Sequence, residues 1–525
     1  MKKFWIILLV FAMLLGGCIP AVPENPTEPP YIQIPTQPTE PTGTTEPTGT
    51  TEPTGTMEPT GTTEPTGSAC QQHMDDNRDD ICDVCFQTVI VYIDFYSIND
   101  LHGKFVDSDT QIGVDELTTF LKNAREEDDY AFFLSAGDMW QGGAESNMTK
   151  GQIMTDWMNA LDFTAMTIGN HEYDWGSEHI RANSQIAEFP FLAINIYDRE
   201  TNERVDYCKP SVVVEAGGLQ IGIIGAMGSH YTSIAPDKCA DVYFKTGSQL
   251  TTLVKEESTR LQQQGVDFIV YVIHSDQSDY DSTLSSGGYV DLVFEGHTHQ
   301  GYCKTDSYGI YHLQNQGDNQ NGLSHVEIAI NSVTNDFKVQ EAGQISKSKY
   351  QNMEDDPIVE ELLEKYKDVI SDAYATLGYN SAYRSSTALG KIVAELYYKA
   401  GVEKWGNQYN IVLGGGSLKT RSPYNLPVGD VTYADLQALF TFDNELRLCS
   451  IKGSDLLRRF YNNSDYRIYS PVSAQSINAN ETYYIIVDTW SSDYAPNNLT
   501  TIAKYDAGVF ARDLLAEYVK AGGLS

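Results

Sequence analysis

Basic side chains are in short supply: 35 Lys and Arg stand against 72 Asp and Glu, a formal net charge of −37. A nucleic-acid duplex must be met by clustered cations that displace its counterions, so this balance excludes a duplex-binding protein. Long apolar runs are missing too. The first one, Phe4 to Leu15, falls short of the ~20 helical residues that a bilayer crossing needs, and no other stretch is apolar enough to span. Small anionic substrates stay admissible, because a bound metal ion inverts the local field. Wholesale disorder is excluded from the other side, since 41% of the residues are hydrophobic, ample for a large core. At roughly 150 residues per domain, 525 residues correspond to about three domains.

Lys2 and Lys3 precede the apolar run, the layout of an export signal over residues 1–17. The run ends in Leu15-Gly16-Gly17-Cys18, which resembles the lipobox of bacterial lipoproteins. That resemblance implies a lipidated Cys18 and anchoring at the outer face of the bacterial cytoplasmic membrane, the only membrane attachment expected. A plain secretory signal with an incidental cysteine is the alternative. Residues 18–69 contain seven Glu, no Lys or Arg, and a recurring Thr-Glu-Pro-Thr-Gly-Thr. They have nothing to bury and read as a disordered, proline-stiffened tether.

Residues 70–86 form a small module rich in Cys, His and Asp. Cys70 and His73, then Cys82 and Cys85, have the spacing of two knuckles of a tetrahedral zinc site. Asp75, Asn77 and Asp79 alternate like the start of a calcium loop, without a Glu at the bidentate position. An additional structural zinc or calcium ion, a disulfide knot and metal-free linker all stay open.

The body opens with alternating apolar residues from Val89 to Ile98, a strand by period, which stops at Asn99-Asp100-Leu101-His102-Gly103. The same grammar returns four times. Ala131–Leu134 runs into Gly137-Asp138; Phe163–Ile168 into Gly169-Asn170-His171-Glu172-Tyr173-Asp174; Phe268–Ile273 into His274; Val290–Phe294 into Gly296-His297-Thr298-His299. Five predicted strands end in ligand-type side chains. In doubly wound sheets the carboxyl ends share one edge, where residues distant in sequence converge.

In this order, the blocks D-x-H, G-D, G-N-H-E, a later His and G-H-x-H resemble the binuclear metallophosphoesterases of the calcineurin-like fold, and more closely the secreted 5′-nucleotidase branch. The resemblance covers residues 87–345. It implies an α/β fold, a metallophosphoesterase β-sandwich flanked by helices, followed by a smaller α+β substrate-binding domain over residues 375–525. It further implies one divalent ion on Asp100, His102 and His299, a second on Asn170, His274 and His297, and Asp138 bridging the two. Nitrogen and oxygen donors without a Cys suit Zn, Mn, Fe or Co and argue against a closed structural site. Two such ions can lower the pKa of a bridging water and brace a phosphoryl group for in-line displacement. By the same resemblance His171 is the catalytic histidine, oriented by Asp174; a role in merely steadying the metal cage is the alternative.

Asp355-Asp356-Pro357 caps a helical pattern from Ile358 to Ile370 within a linker over residues 346–374. The resemblance implies a hinge there, and a rigid packed helix is the other reading. Beyond it, Gly414-Gly415-Gly416-Ser417-Leu418-Lys419 and Phe440-Thr441-Phe442-Asp443-Asn444 resemble the substrate-binding blocks of the family. By the same resemblance Phe442 and Trp490 would sandwich a nucleobase, ordinary core packing being the alternative, and Arg384, or a neighbour in Tyr383-Arg384-Ser385, and Lys419 would meet its phosphate. The family has Arg where this chain has Lys419, with Arg421 two residues on; Lys offers a point charge in place of a planar fork. The family's glycine-rich loop after the Trp is here Ser491-Ser492-Asp493-Tyr494-Ala495-Pro496, so the base pocket is expected to differ. Cys208, Cys239, Cys303 and Cys449 allow three pairings, Cys208 with Cys239 among them, or stay free.

Together these resemblances imply an exported, lipid-tethered phosphohydrolase acting on nucleotide monophosphates or similar small substrates. A 2′,3′-cyclic-nucleotide phosphodiesterase or UDP-sugar hydrolase is the alternative within the class. A non-catalytic surface binding or adhesion protein is the alternative outside it.

Overall fold

A computed structural model describes residues 74–75, 80–83, 88–106, 113–316, 322–421, 425–494 and 498–525. The expected export signal, Cys18, the tether, and Cys70, His73 and Cys85 of the small module lie outside the described residues. Among the described residues no helix is long and apolar enough to cross a membrane.

Two six-stranded sheets form the first part of the body. One has the order Phe337–Ser346, Gly322–Asn331, Ile90–Ile98, Ala131–Ser135, Ala165–Thr167, Phe191–Leu192. The other has the order Tyr302–Thr305, Tyr311–Gln314, Leu292–Glu295, Phe268–His274, Leu219–Met227, Ser211–Ala216. Within each sheet the strands that carry candidate ligands run parallel to one another. Parallel neighbours need crossover connections, and helices such as Asp115–Glu127 and Ser248–Gln263 supply them.

The strand Phe268–His274 shows how its sequence sets this architecture. Every residue in it is buried. Phe268, Val270 and Val272 enter the core between the sheets, beside Ile93, Phe95 and Phe294. Ile269, Tyr271 and Ile273 point the other way, onto Val254 and Leu261 of the helix Ser248–Gln263. A strand covered on both faces reads as a continuous apolar run, each such side chain contributing ~1.5–3 kcal/mol on burial.

The expected sandwich flanked by helices is therefore present, with one correction. The five ligand-bearing strands do not share a single doubly wound sheet: three lie in the first sheet and two in the second. Their carboxyl ends meet because the two sheets pack with those ends at one rim.

The helix Pro357–Tyr374 follows the sandwich, with Asp356 accepting from the Ile358 N–H at 3.0 Å as its N-cap. Lys122 binds Asp356 at 2.8 Å, and Lys365 and Tyr366 reach Asp156 at 2.5 and 2.6 Å, so this helix is fixed against the sandwich. A five-stranded sheet of Arg467–Tyr469, Ile411–Gly416, Thr482–Asp488, Leu446–Lys452 and Leu499–Lys504 builds the C-terminal part. Leu448 and Ile486 pack under the helices Ser386–Trp405 and Ala511–Lys520, while Val412, Ile485 and Val487 fill a second core.

Cys208, Cys239, Cys303 and Cys449 are all free. In the small module, buried Asp75 accepts from Asn331 Nδ2 at 2.7 Å, and the buried Cys82 Sγ accepts from the Met74 N–H at 3.5 Å.

Candidate metal centre

The chain leaves its strands in an uncommon conformation at this rim. Asp100, His102, Asp138, His297 and His299 have φ of 54°, 53°, 57°, 75° and 56°, all left-handed. Such residues cost roughly 1–3 kcal/mol each and persist only where the surroundings over-determine them. Here the loops brace one another. The amides of Asp100, His102 and Gly103 donate to the carbonyls of Gly137, Asp138 and Met139 at 2.9, 3.0 and 2.8 Å. Gly169 permits the third loop to approach, since a Cβ there would sit 2.2 Å from Asp138 Oδ1.

Three groups of ligand-type side chains result, Asp100–His102–His299, Asp138–His274–His297 and His102–Asp138–His171. His274 Nε2 lies 3.0 Å from Asn170 Oδ1 and 3.2 Å from Asp138 Oδ2, and His297 Nδ1 lies 2.8 Å from Asn170 Oδ1. His299 Nε2 is 3.3 Å from Asp100 Oδ1 and 3.2 Å from His102 Nε2. All seven expected donors are brought together. His102 Nδ1–H donates to Gln141 O at 2.9 Å and His274 Nδ1–H to Ala136 O at 2.7 Å, so each ring is held with Nε2 turned inward.

The donor chemistry fits divalent cations. Asp100 Oδ1 is fully buried without a well-formed hydrogen bond, facing imidazole nitrogens. A cluster of acceptors with too few protons between them is stabilised by a cation. Burial alone would raise the carboxyl of Asp138, yet His274, His171 and His102 outweigh it and hold that group well below the usual carboxylate range. Burial, reinforced by His171 and His299, pushes His102 down to about 3. Burial, with His274 adding, pushes His297 down to about 4.

His171 stands beside this cluster. Its Nδ1 bonds Asp174 Oδ2 at 2.8 Å and its backbone N–H donates to Asp138 Oδ1 at 2.8 Å. Burial opposes charge on the imidazole, but Asp174 and Asp138 overcome it and lift His171 to about 9.

Glu172 carries no expected role, although it stands inside the Gly169-Asn170-His171-Glu172 block. Its buried carboxylate accepts from the N–H groups of Asp138, Met139, Trp140 and Gly169 at 2.9, 2.9, 3.2 and 2.8 Å, tying the second loop to the third. An acidic residue flanked by site residues was the available signal.

Of the expected substrate contacts, the structure brings two to the rim. A shallow cleft opens beside the cluster, lined by His102, Lys104, Gln141, Gly142, Arg421, Thr441 and Phe442. Phe442 stacks on His171 at 5.5 Å between ring centroids, and the Arg421 guanidinium lies 4.9 Å from the Phe442 ring. Of the two rings expected to sandwich a base, Phe442 stacks on His171 and Trp490 sits 46% exposed in the turn after the strand Thr482–Asp488. Arg384 is turned inward onto Asn380 Oδ1 and Leu524 O at 2.9 and 3.2 Å, a structural tie of the C-terminal part. Lys419 makes a surface ion pair with Asp465 at 3.0 Å.

A sandwich of this topology with Asp, Asn and His donors at one rim defines a metal-dependent phosphoric ester hydrolase, and comparison with known proteins agrees. Residues 94–301 match the calcineurin-like phosphoesterase family. The chain is 27% identical to an apyrase of Tabanus yao over 69% of this chain and 72% of that protein. It is 24% identical to the protein UshA of Yersinia enterocolitica over 68% of this chain and 74% of that protein. Among solved structures, a putative 5′-nucleotidase from Staphylococcus aureus shares the fold with a TM-score of 0.65 at 16% identity, covering 82% of this chain and 97% of that one. The chain carries a calcineurin-like metallophosphoesterase domain homologous to 5′-nucleotidases, followed by a C-terminal domain.

Proposed function

We propose that the protein is an exported 5′-nucleotidase-type hydrolase that removes phosphate from nucleotides at a centre of two divalent ions. The observation that carries this reading is the meeting of seven oxygen and nitrogen donors at a rim that opens into a cleft bearing Arg421 and Phe442. Ions bound there would polarise the phosphoryl group and acidify a water. Asp100, His102 and His299 would hold one, Asn170, His274 and His297 the other, with Asp138 shared between them.

The remaining work falls to the chain itself. His171, kept protonated by Asp174 and Asp138, presents a positive ring edge to the phosphoryl or leaving oxygen. Arg421 adds a second cation from the C-terminal part, and Phe442 offers an aromatic face at the cleft. Relatives named apyrase and 5′-nucleotidase support nucleotides as the substrate class. Lys2, Lys3, the apolar run and Cys18 support export and lipid anchoring at the cell surface.

Phosphate release from AMP, 2′,3′-cyclic AMP, UDP-glucose and bis(p-nitrophenyl) phosphate with Mn²⁺ or Zn²⁺ tests this reading. AMP is expected to turn over fastest. Preference for the cyclic nucleotide or the sugar nucleotide would reassign the specificity, and inertness toward all four under both metals would favour a binding protein.

A further inference from the structure

His230 lies in the short turn Ser229–Ser233 that follows the strand Leu219–Met227. No role follows for it from its sequence context. In the fold, its ring lies flat against His297, with centroids 3.9 Å apart and planes at 22°. His230 Nε2 is buried and has no hydrogen-bond partner among the described residues.

The turn is held rigidly where it is. The Gly228 N–H donates to His274 O at 3.1 Å, and a Cβ on Gly228 would stand 2.3 Å from Ser275 Cβ, so the two loops touch. The Ser229 N–H and the Ser275 hydroxyl both donate to Asp279 Oδ2, at 2.6 and 2.5 Å. Ser275 O in turn accepts from the Gly296 N–H at 3.0 Å, the residue before His297. The turn carrying His230 is thus fastened to the loops of both His274 and His297.

His297 needs such support. Its backbone is left-handed, and it is less enclosed than His274. Its Nδ1 is aimed at Asn170 Oδ1 at 2.8 Å. An imidazole stacked on its outer face restricts ring rotation, keeps that nitrogen inward and shields the face from water. We infer that His230 is a positioning residue that fixes the His297 ring for the ion shared with Asn170 and His274. The inference rests on reading His297 as a ligand. It assigns His230 no contact with substrate.

The test is metal binding by the chelator-stripped protein, followed by calorimetric titration with Mn²⁺ or Zn²⁺ and by the visible spectrum of the cobalt-loaded form. The wild-type chain should bind two ions. His230→Ala should weaken one of them by about 10- to 100-fold, the range for removing an outer support of a ligand, and leave the other unchanged. His230→Phe, which keeps a flat ring, should recover affinity to within about threefold and restore the cobalt spectrum. If His230→Ala does not fold, His230→Asn takes its place with the same expectation. Two ions bound at wild-type affinity by the alanine or asparagine variant, or a phenylalanine variant as weak as they are, would overturn the positioning role alone. A wild-type chain that binds no ions would overturn the metal reading itself.

Discussion

Asn99 and Asn315 hold each other by four reciprocal hydrogen bonds. Each backbone N–H donates to the other's side-chain oxygen at 2.9 Å, and each side-chain amide donates to the other's carbonyl, at 3.1 and 3.2 Å. Asn99 follows a strand of the first sheet and Asn315 a strand of the second, so the pair is a clasp across the rim. Asn99 Nδ2 also donates to Asp100 Oδ2 at 2.6 Å, and the same oxygen accepts from the His297 N–H at 2.8 Å. Replacing Asn315 with Ala removes two of these bonds and leaves buried polar groups of Asn99 unpaired. Urea unfolding should show a loss of about 2–4 kcal/mol; an unchanged midpoint would show that the clasp contributes nothing.

Asp138 faces both halves of the donor cluster. Asp138→Ala should strip both ions and reduce turnover to background, read by elemental analysis beside phosphate release. A variant that keeps two ions and full activity would rule out the shared position.

His171 bonds Asp138 through its backbone N–H, which a side-chain change leaves in place, and its ring stands edge-on to that of His102 with centroids 5.0 Å apart. His171→Asn should therefore lower kcat by about 10²- to 10⁴-fold with metal content unchanged. Asp174→Asn should act in the same direction and less severely. Loss of metal from the His171 variant would make this histidine part of the cage.

Phe442 contacts His171, whereas Trp490 does not share that stack. Phe442→Ala should lower turnover of p-nitrophenyl phosphate as well as of AMP. Trp490→Ala should leave p-nitrophenyl phosphate untouched. Equal effects of the two variants on both substrates would contradict the separation.

Glu145 is 2% exposed in the helix Ala144–Thr149. Burial, only partly offset by its hydrogen bond and by Lys104, pushes its carboxyl from 4.5 up to about 7. The folded chain keeps a proton that the unfolded chain releases, so this group's stability is fully present below pH 4.5 and is lost as pH rises to about 7. The loss is on the order of 3 kcal/mol. Glu145→Gln should flatten that part of the stability profile between pH 4.5 and 8; parallel profiles would exclude Glu145 as its source.

The clustered side chains were legible in the sequence because each lies at the end of a predicted strand or within four residues beyond it, and the strand ends fix where such residues emerge. The division of their strands between two sheets was not, since a run such as Phe268–Ile273 announces burial on both faces without naming what covers each. Glu172, Asn99 and Asn315 escaped as well: their work is to bind backbone amides of loops far along the chain, and no local pattern marks it. The C-terminal contacts were least legible. Arg384 and Lys419 have the right charge for phosphate, and no local pattern marks the partners that the fold gives them, Asn380 and Leu524 for the one and Asp465 for the other.

The left-handed backbone at five of the donors restricts which substitutions evolution or an engineer can try there. Asn, Asp, His and Gly tolerate that conformation far better than branched or bulky residues. Exchanging His for Asp or Asn within this set keeps the left-handed backbone accessible. Val or Ile at the same positions would distort the scaffold before any question of coordination arises. The main chain itself thus narrows the set of side chains that can stand at these five positions.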